Sequence, residues 1–194
     1  MDALTQLIEP FVSVKSHPLT DAICREGIRR TAKSLRRVYH NSVDGAARED
    51  MSLVSLFGGM ALANAALGAV HGFAGPLGGM LNAPPGAICA KLLPLVMEAN
   101  LTALESRHAG HVAIGRCIEI ARMVTENDSA SAWDGVQWVG DLVHELNIPP
   151  LSAHGMTEAD VPEAVQKTLN ASSYKGNPIP LSEGELCEIL EKAL

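Results

Sequence analysis

The chain has no basic stripe, no closely spaced cysteines and no charge at all across a long central stretch. Each gap removes a class of function. Net charge is −7 over 194 residues, whereas binding to a phosphate backbone needs clustered Lys and Arg. The densest basic group is Arg25, Arg29, Arg30, Lys33, Arg36 and Arg37. It is interleaved with Glu26 and spreads around a helix, as a solvated face does, so no nucleic-acid partner is expected. Cys24, Cys89, Cys117 and Cys187 include no C-x-x-C pair. That argues against a disulfide framework and against a thiolate zinc site, and for reduced, mostly buried thiols in a cytoplasmic protein. The N-terminus shows no basic segment leading into an apolar run, so no secretory signal is expected.

Met51 to Ala90 contains no Asp, Glu, Lys or Arg. A membrane-spanning helix needs ~20 predominantly apolar residues. Here the run is interrupted by Asn64, His71, Asn82, Pro76, Pro84, Pro85 and repeated glycines. Its side chains are small, and the stretch reads as the buried centre of a helical domain with no membrane partner.

Helical periodicity is what remains. Leu4, Leu7, Ile8 and Phe11 form one face, with Asp2, Gln6, Glu9 and Ser13 opposite. A second helix is expected from about Thr20 to Tyr39. A third starts near Ala46 and runs through His71, to be broken by the Gly/Pro-rich stretch Gly72–Gly86. Others follow to about Leu104, over Ala113–Val124, and from Ser131 with Asp134. Asp160 with Glu163, or Thr157 with Asp160, can cap the next. Ser182 and Glu185 make a capping box for the last. No alternating strand is evident. The expected fold class is all-α, a compact multi-helix domain of about eight helices covering residues 1–194.

Four stretches carry a resemblance. Asp2–Ser13, DALTQLIEPFVS, is similar to a D-A-L-x-H-x-x-E segment. Gly59–Gly79, GMALANAALGAVHGFAGPLGG, is similar to a Gly/Asn-rich helix running into V-H-x-x-A-H-P-L-G. Asn82–Asn100, NAPPGAICAKLLPLVMEAN, resembles an N-x-P-H-G segment with its following L-L-P helix. Ser172–Leu181, SSYKGNPIPL, completes the set. Together they resemble the C-terminal helical domain of the iron-containing alcohol dehydrogenases, in the family's order and over essentially the whole chain.

The resemblance implies an oxidoreductase of two domains. An N-terminal α/β domain binds NAD or NADP, and the helical domain holds iron or sometimes zinc. The metal polarises the oxygen of a small alcohol or aldehyde substrate in the cleft between them. No strand–glycine-rich turn–helix fingerprint is present. The nucleotide-binding domain is therefore expected to be missing from this chain and to act as its partner, and NAD or NADP to bind only with it. Self-association into a homo-oligomer is a further expectation by resemblance.

The family holds its metal with one Asp and three His, a mixed oxygen and nitrogen set suited to a divalent transition metal. Asp2 and His71 match that pattern. Gln6 stands where a His is usual, four residues after Asp2, and a neutral amide oxygen is the weaker donor. Gly75 stands at the position of a further His near the nicotinamide, and Pro85 at the last metal His. The candidate metal residues are thus Asp2, Gln6 and His71, a degenerate site expected to hold Fe2+ or Zn2+ poorly. An open face is expected beside Asp2, His71 and Gly72–Gly79. Two other functions stay open: a metal-free, non-catalytic helical binding or oligomerisation module, and a subunit of a split dehydrogenase.

Overall fold

The computed structural model describes residues 1–81 and 83–194; Asn82, in the third resembling stretch, lies outside them. Nine α-helices are present among the described residues, with no strand: α1 Asp2–Val12, α2 Pro18–His40, α3 Gly45–Ala65, α4 Ala69–Met80, α5 Pro85–Arg107, α6 Val112–Thr125, α7 Ala132–Glu145, α8 Val161–Asn170 and α9 Glu183–Ala193. Short 3-10 turns at Leu151–His154, Glu158–Asp160 and Ser173–Gly176 connect the later helices.

Helix α1 is the hub, packed against α2, α3, α5 and α6. Its apolar face is fully inside: Leu4, Leu7, Ile8 and Phe11 are all buried. The face expected opposite does not simply meet solvent, because Glu9 and Ser13 are buried too. Asp2 and Gln6 stay half-buried at the near end. Helix α5 is long and apolar enough to cross a membrane by length and composition. Here it packs against α1, α4, α6, α7 and α9 and gives Ile88, Leu92, Leu93 and Val96 to the core.

The long third helix expected through His71 is two helices. Helix α3 stops at Ala65, Ala66 turns with φ 57°, and α4 departs at 103°. The cause lies far away in sequence. Asn177 Oδ1 accepts the Ala69 amide at 3.0 Å, and Glu9 Oε1 accepts the Val70 amide at 2.7 Å. These are two of the amides that a helix start leaves without an internal partner. Gly68 makes the approach feasible, because a Cβ there would lie 2.9 Å from both of those oxygens. With its start fixed in this way, the glycine-rich segment expected as a break is helical as far as Met80.

The local caps fall where the sequence places them. Ser131 with Asp134 and Ser182 with Glu185 form reciprocal capping boxes. Asp160 closes back on Thr157, in the 3-10 turn before α8, and so does not cap Glu163.

Candidate metal centre

Three helix starts converge on one place: the first residues of α1, the first turn of α4 and the first turn of α5. Asp2, Gln6 and Glu9 follow at i, i+4 and i+7, so they share one face of α1. His71 lies in the first turn of α4, pointing back at that face. Gly86 of α5 lies so close to Asp2 that a Cβ added there would sit 3.6 Å from the Asp2 Cβ.

His71 is held from one side and open on the other. Its Nδ1 meets Glu9 Oε2 at 2.6 Å, while Glu9 Oε1 is occupied by the Val70 amide. Glu9 is buried at 4% exposure, with its side chain against the amide-bearing N-terminus of α4. With the Nδ1 hydrogen donated to Glu9, Nε2 is left as the outward-facing nitrogen. It lies 3.5 Å from Asp2 Oδ1 and 3.8 Å from Cys89 Sγ. Donor atoms of Asp2, His71 and Cys89 all lie within 4.8 Å of one another.

The electrostatics agree with the geometry. Burial opposes a charge on His71, but hydrogen bonds to Asp2, Cys89 and Glu9 outweigh it and push the imidazole up to about 12. The hydrogen bond from His71 in turn holds the Asp2 carboxyl below its ordinary value, against the effect of burial. Burial raises the Cys89 thiol, with His71 opposing. Two carboxylates flank one imidazole here, an arrangement that favours positive charge.

Asp2 and His71 are therefore brought together as the sequence suggests. Gln6 arrives as well, in a different posture. Its Nε2 donates to Asp2 Oδ2 at 2.9 Å, and its oxygen lies against Gly58 of α3, where a Cβ would come within 2.9 Å of it. In this arrangement Gln6 orients the Asp2 carboxylate and keeps its own oxygen away from the centre. Gly75 sits one turn after His71 on α4 and is exposed, with open space where a side chain would project.

Two residues of the centre escape a sequence reading. Glu9 lies on the Asp2–Gln6 face by periodicity, a signal that identifies its direction but not its burial. Cys89 is four residues after Pro85, one turn further along the same side of α5. Where the sequence reading expects reduced, mostly buried thiols with no metal role, the Cys89 sulfur lies beside two candidate ligands.

The residues present fit a divalent cation. Carboxylate and imidazole stand at the separation of two donors on one ion, and the carboxylate of Glu9 sits behind the imidazole. That outer carboxylate is the usual support of a metal-bound histidine.

Fold and site together define a helical domain with a carboxylate–imidazole cluster at the meeting of three helix starts. A family model described as the Fe-containing alcohol dehydrogenase family, C-terminal, matches residues 1–194. The chain belongs to the iron-containing alcohol dehydrogenase family and corresponds to its C-terminal part. It is 35% identical to a 1,3-propanediol dehydrogenase of Citrobacter freundii, over 100% of this chain and 49% of that protein. It is 32% identical to a lactaldehyde reductase of Escherichia coli K12, over 100% of this chain and 49% of the relative. The crystal structure of a 1,3-propanediol oxidoreductase superposes with a TM-score of 0.90 at 32% identity, covering 100% of this chain and 50% of that one. The chain thus spans about half the length of the relatives it matches.

Proposed function

We propose that this chain supplies the metal-binding and substrate-binding half of an NAD(P)-linked oxidoreductase that interconverts small alcohols and aldehydes. The observation that carries the proposal is the Asp2–His71 pair at 3.5 Å, with Glu9 fixed on the far nitrogen of the imidazole. Asp2 and His71 would hold the ion. When bound, the ion supplies Lewis-acid polarisation of the substrate oxygen. Glu9 keeps the Nδ1 hydrogen, and so keeps Nε2 available. Gln6 fixes the rotation of the Asp2 carboxylate. The names of the relatives, a propanediol dehydrogenase and a lactaldehyde reductase, support a short-chain hydroxylated substrate.

Hydride chemistry needs a nicotinamide, and the nucleotide-binding domain that would hold it is the proposed partner. The bare surface of Gly75, Gly78 and Gly79 suits the approach of that domain. Leu56, Met60 and Leu62, exposed on α3, are candidates for cover by the same domain or by a second copy of the chain. One feature favours a non-catalytic, metal-free module instead: Gly75 and Pro85 stand at positions where the family pattern carries His.

The test joins the chain to the nucleotide-binding half of the Citrobacter freundii relative. The 194-residue chain alone is expected to give no NAD(P)-dependent oxidation of 1,3-propanediol. The fusion is expected to be active, and the activity to disappear with His71→Ala. A folded fusion that takes up no metal and shows no activity on any short diol, alcohol or aldehyde would favour the metal-free, non-catalytic module.

A further inference from the structure

We infer that Cys89 is the third protein ligand of this centre, and that the set Asp2–His71–Cys89 takes a zinc-class ion in preference to iron. The inference rests on the reading of Asp2 and His71 as metal ligands, and extends it to a sulfur donor.

Distances come first. A tetrahedral ion with oxygen or nitrogen donors at ~2.0–2.1 Å and a sulfur donor at ~2.3 Å has donor-to-donor edges of roughly 3.3–3.6 Å. His71 Nε2 stands 3.5 Å from Asp2 Oδ1 and 3.8 Å from Cys89 Sγ. These two edges match an ion's within a few tenths of an ångström, and the third, from Asp2 to Cys89, is held within 4.8 Å. The mount is firm, since Cys89 is 1% exposed and lies in the core-facing side of α5.

Position gives the second argument. The family pattern places an imidazole at the residue that is Pro85 here, and proline has no donor. Residues i and i+4 of a helix lie one above the other. A donor one turn along α5 can therefore reach the same centre without any change in the backbone. The side chain of Cys89 faces His71 and Asp2, and its sulfur contacts the imidazole that both would share with an ion.

Charge and softness give the third. A carboxylate, a thiolate and a neutral imidazole carry two negative charges, which balance a divalent cation. The thiol proton leaves to water when the ion binds. Thiolate donors move a site from the oxygen- and nitrogen-preferring ions toward zinc. Three protein donors with one position left open is the arrangement of catalytic zinc. Gly75, one turn from His71 on α4, projects no side chain and faces open space.

The experiment uses the full chain, stripped with chelator and titrated with cobalt(II). The expected result is a sulfur-to-cobalt charge-transfer absorption in the near ultraviolet, saturating at one ion per chain and abolished by competing zinc but not by equal iron(II). Cys89→Ser should lose that band and weaken zinc binding by more than the roughly 100-fold seen when only a supporting residue is lost. His71→Ala should lose both the band and binding. A variant with Ser at positions 24, 117 and 187, keeping Cys89 as the sole thiol, should retain the band. The band persisting in Cys89→Ser, or zinc affinity unchanged by that substitution while His71→Ala abolishes it, overturns the sulfur ligand and leaves the Asp2–His71 reading standing. Absence of cobalt and zinc binding in the unsubstituted chain overturns both.

Discussion

Glu9 and His71 lie 2.6 Å apart across the start of α4, and the same carboxylate also receives the Val70 amide of that helix. One side chain thus seats the helix and aims its imidazole. Glu9→Gln keeps an acceptor for Val70 but removes the charge that orients the ring. It should lower metal affinity by about 10–100-fold, the usual consequence of losing such a support, with helix content unchanged. Competition against a chromophoric chelator measures it; an affinity equal to that of the parent would detach Glu9 from the centre.

Two glycines should respond to alanine in opposite directions. At Gly176 a Cβ would lie 2.0 Å from the Leu67 carbonyl oxygen, which belongs to the rigid turn between α3 and α4. Gly176→Ala forces backbone apart and should destabilise the chain by about 1–3 kcal/mol or more. At Gly75, helical and facing open space, alanine should stabilise by about 0.5–1 kcal/mol through helix propensity. Urea midpoints at constant slope decide both, and equal shifts for the pair would refute the steric argument.

What could be read in the sequence was mainly local. The capping boxes at Ser131 and Ser182 need only residues three apart, so pattern finds them. The same holds for the α1 face that carries Asp2, Gln6 and Glu9. The break between α3 and α4 was not legible, because its cap, Asn177, lies 108 residues beyond Ala69. Cys89 was hidden for a related reason. Spacing between cysteines says nothing about a thiol whose partners are Asp2 and His71, on two other helices. Asp2 and His71 came from the resemblance; periodicity alone leaves them as an exposed helix face and a core histidine.

Arg116 makes a two-pronged pair with Asp21, at 2.8 Å for each contact, and also donates to the Phe11 carbonyl. Asp21 is 6% exposed. Removing the guanidinium strands a buried carboxylate, a change that typically costs about 3–5 kcal/mol. Because Arg116 itself keeps 20% of its side-chain exposure, Arg116→Met is expected near the lower end. Asp21→Asn combined with Arg116→Met should recover part of the loss. A double variant no better than Arg116→Met alone would show that the stranded charge is not what destabilises it.

Acid should weaken the ties between α2 and α3. The Ser34 hydroxyl, followed by Arg30, holds Asp50 below its ordinary 3.8. The Ala47 amide at the start of α3, followed by Arg37, does the same for Asp44. A carboxyl with a depressed folded pKa contributes stability that is present above 3.8 and is lost as pH falls through the lower folded value. Urea midpoints should thus be insensitive to these two groups between about pH 5 and 7, roughly one unit or more above their ordinary value. They should then fall below about pH 4. Asp50→Asn should flatten part of that fall. An unaltered acid limb in the variant would remove Asp50 from the explanation.

The bare side of α4 has a thermodynamic consequence of its own. Gly75, Gly78 and Gly79 present main chain and no rotamers. Ordering long side chains at an interface opposes association by as much as ~0.5–1.5 kcal/mol each, and this strip has none to order. A surface laid against it meets a contour set by the helix backbone alone. The distance of closest approach is then fixed by three hydrogens in place of three side chains, and any substitution along the strip acts as a spacer.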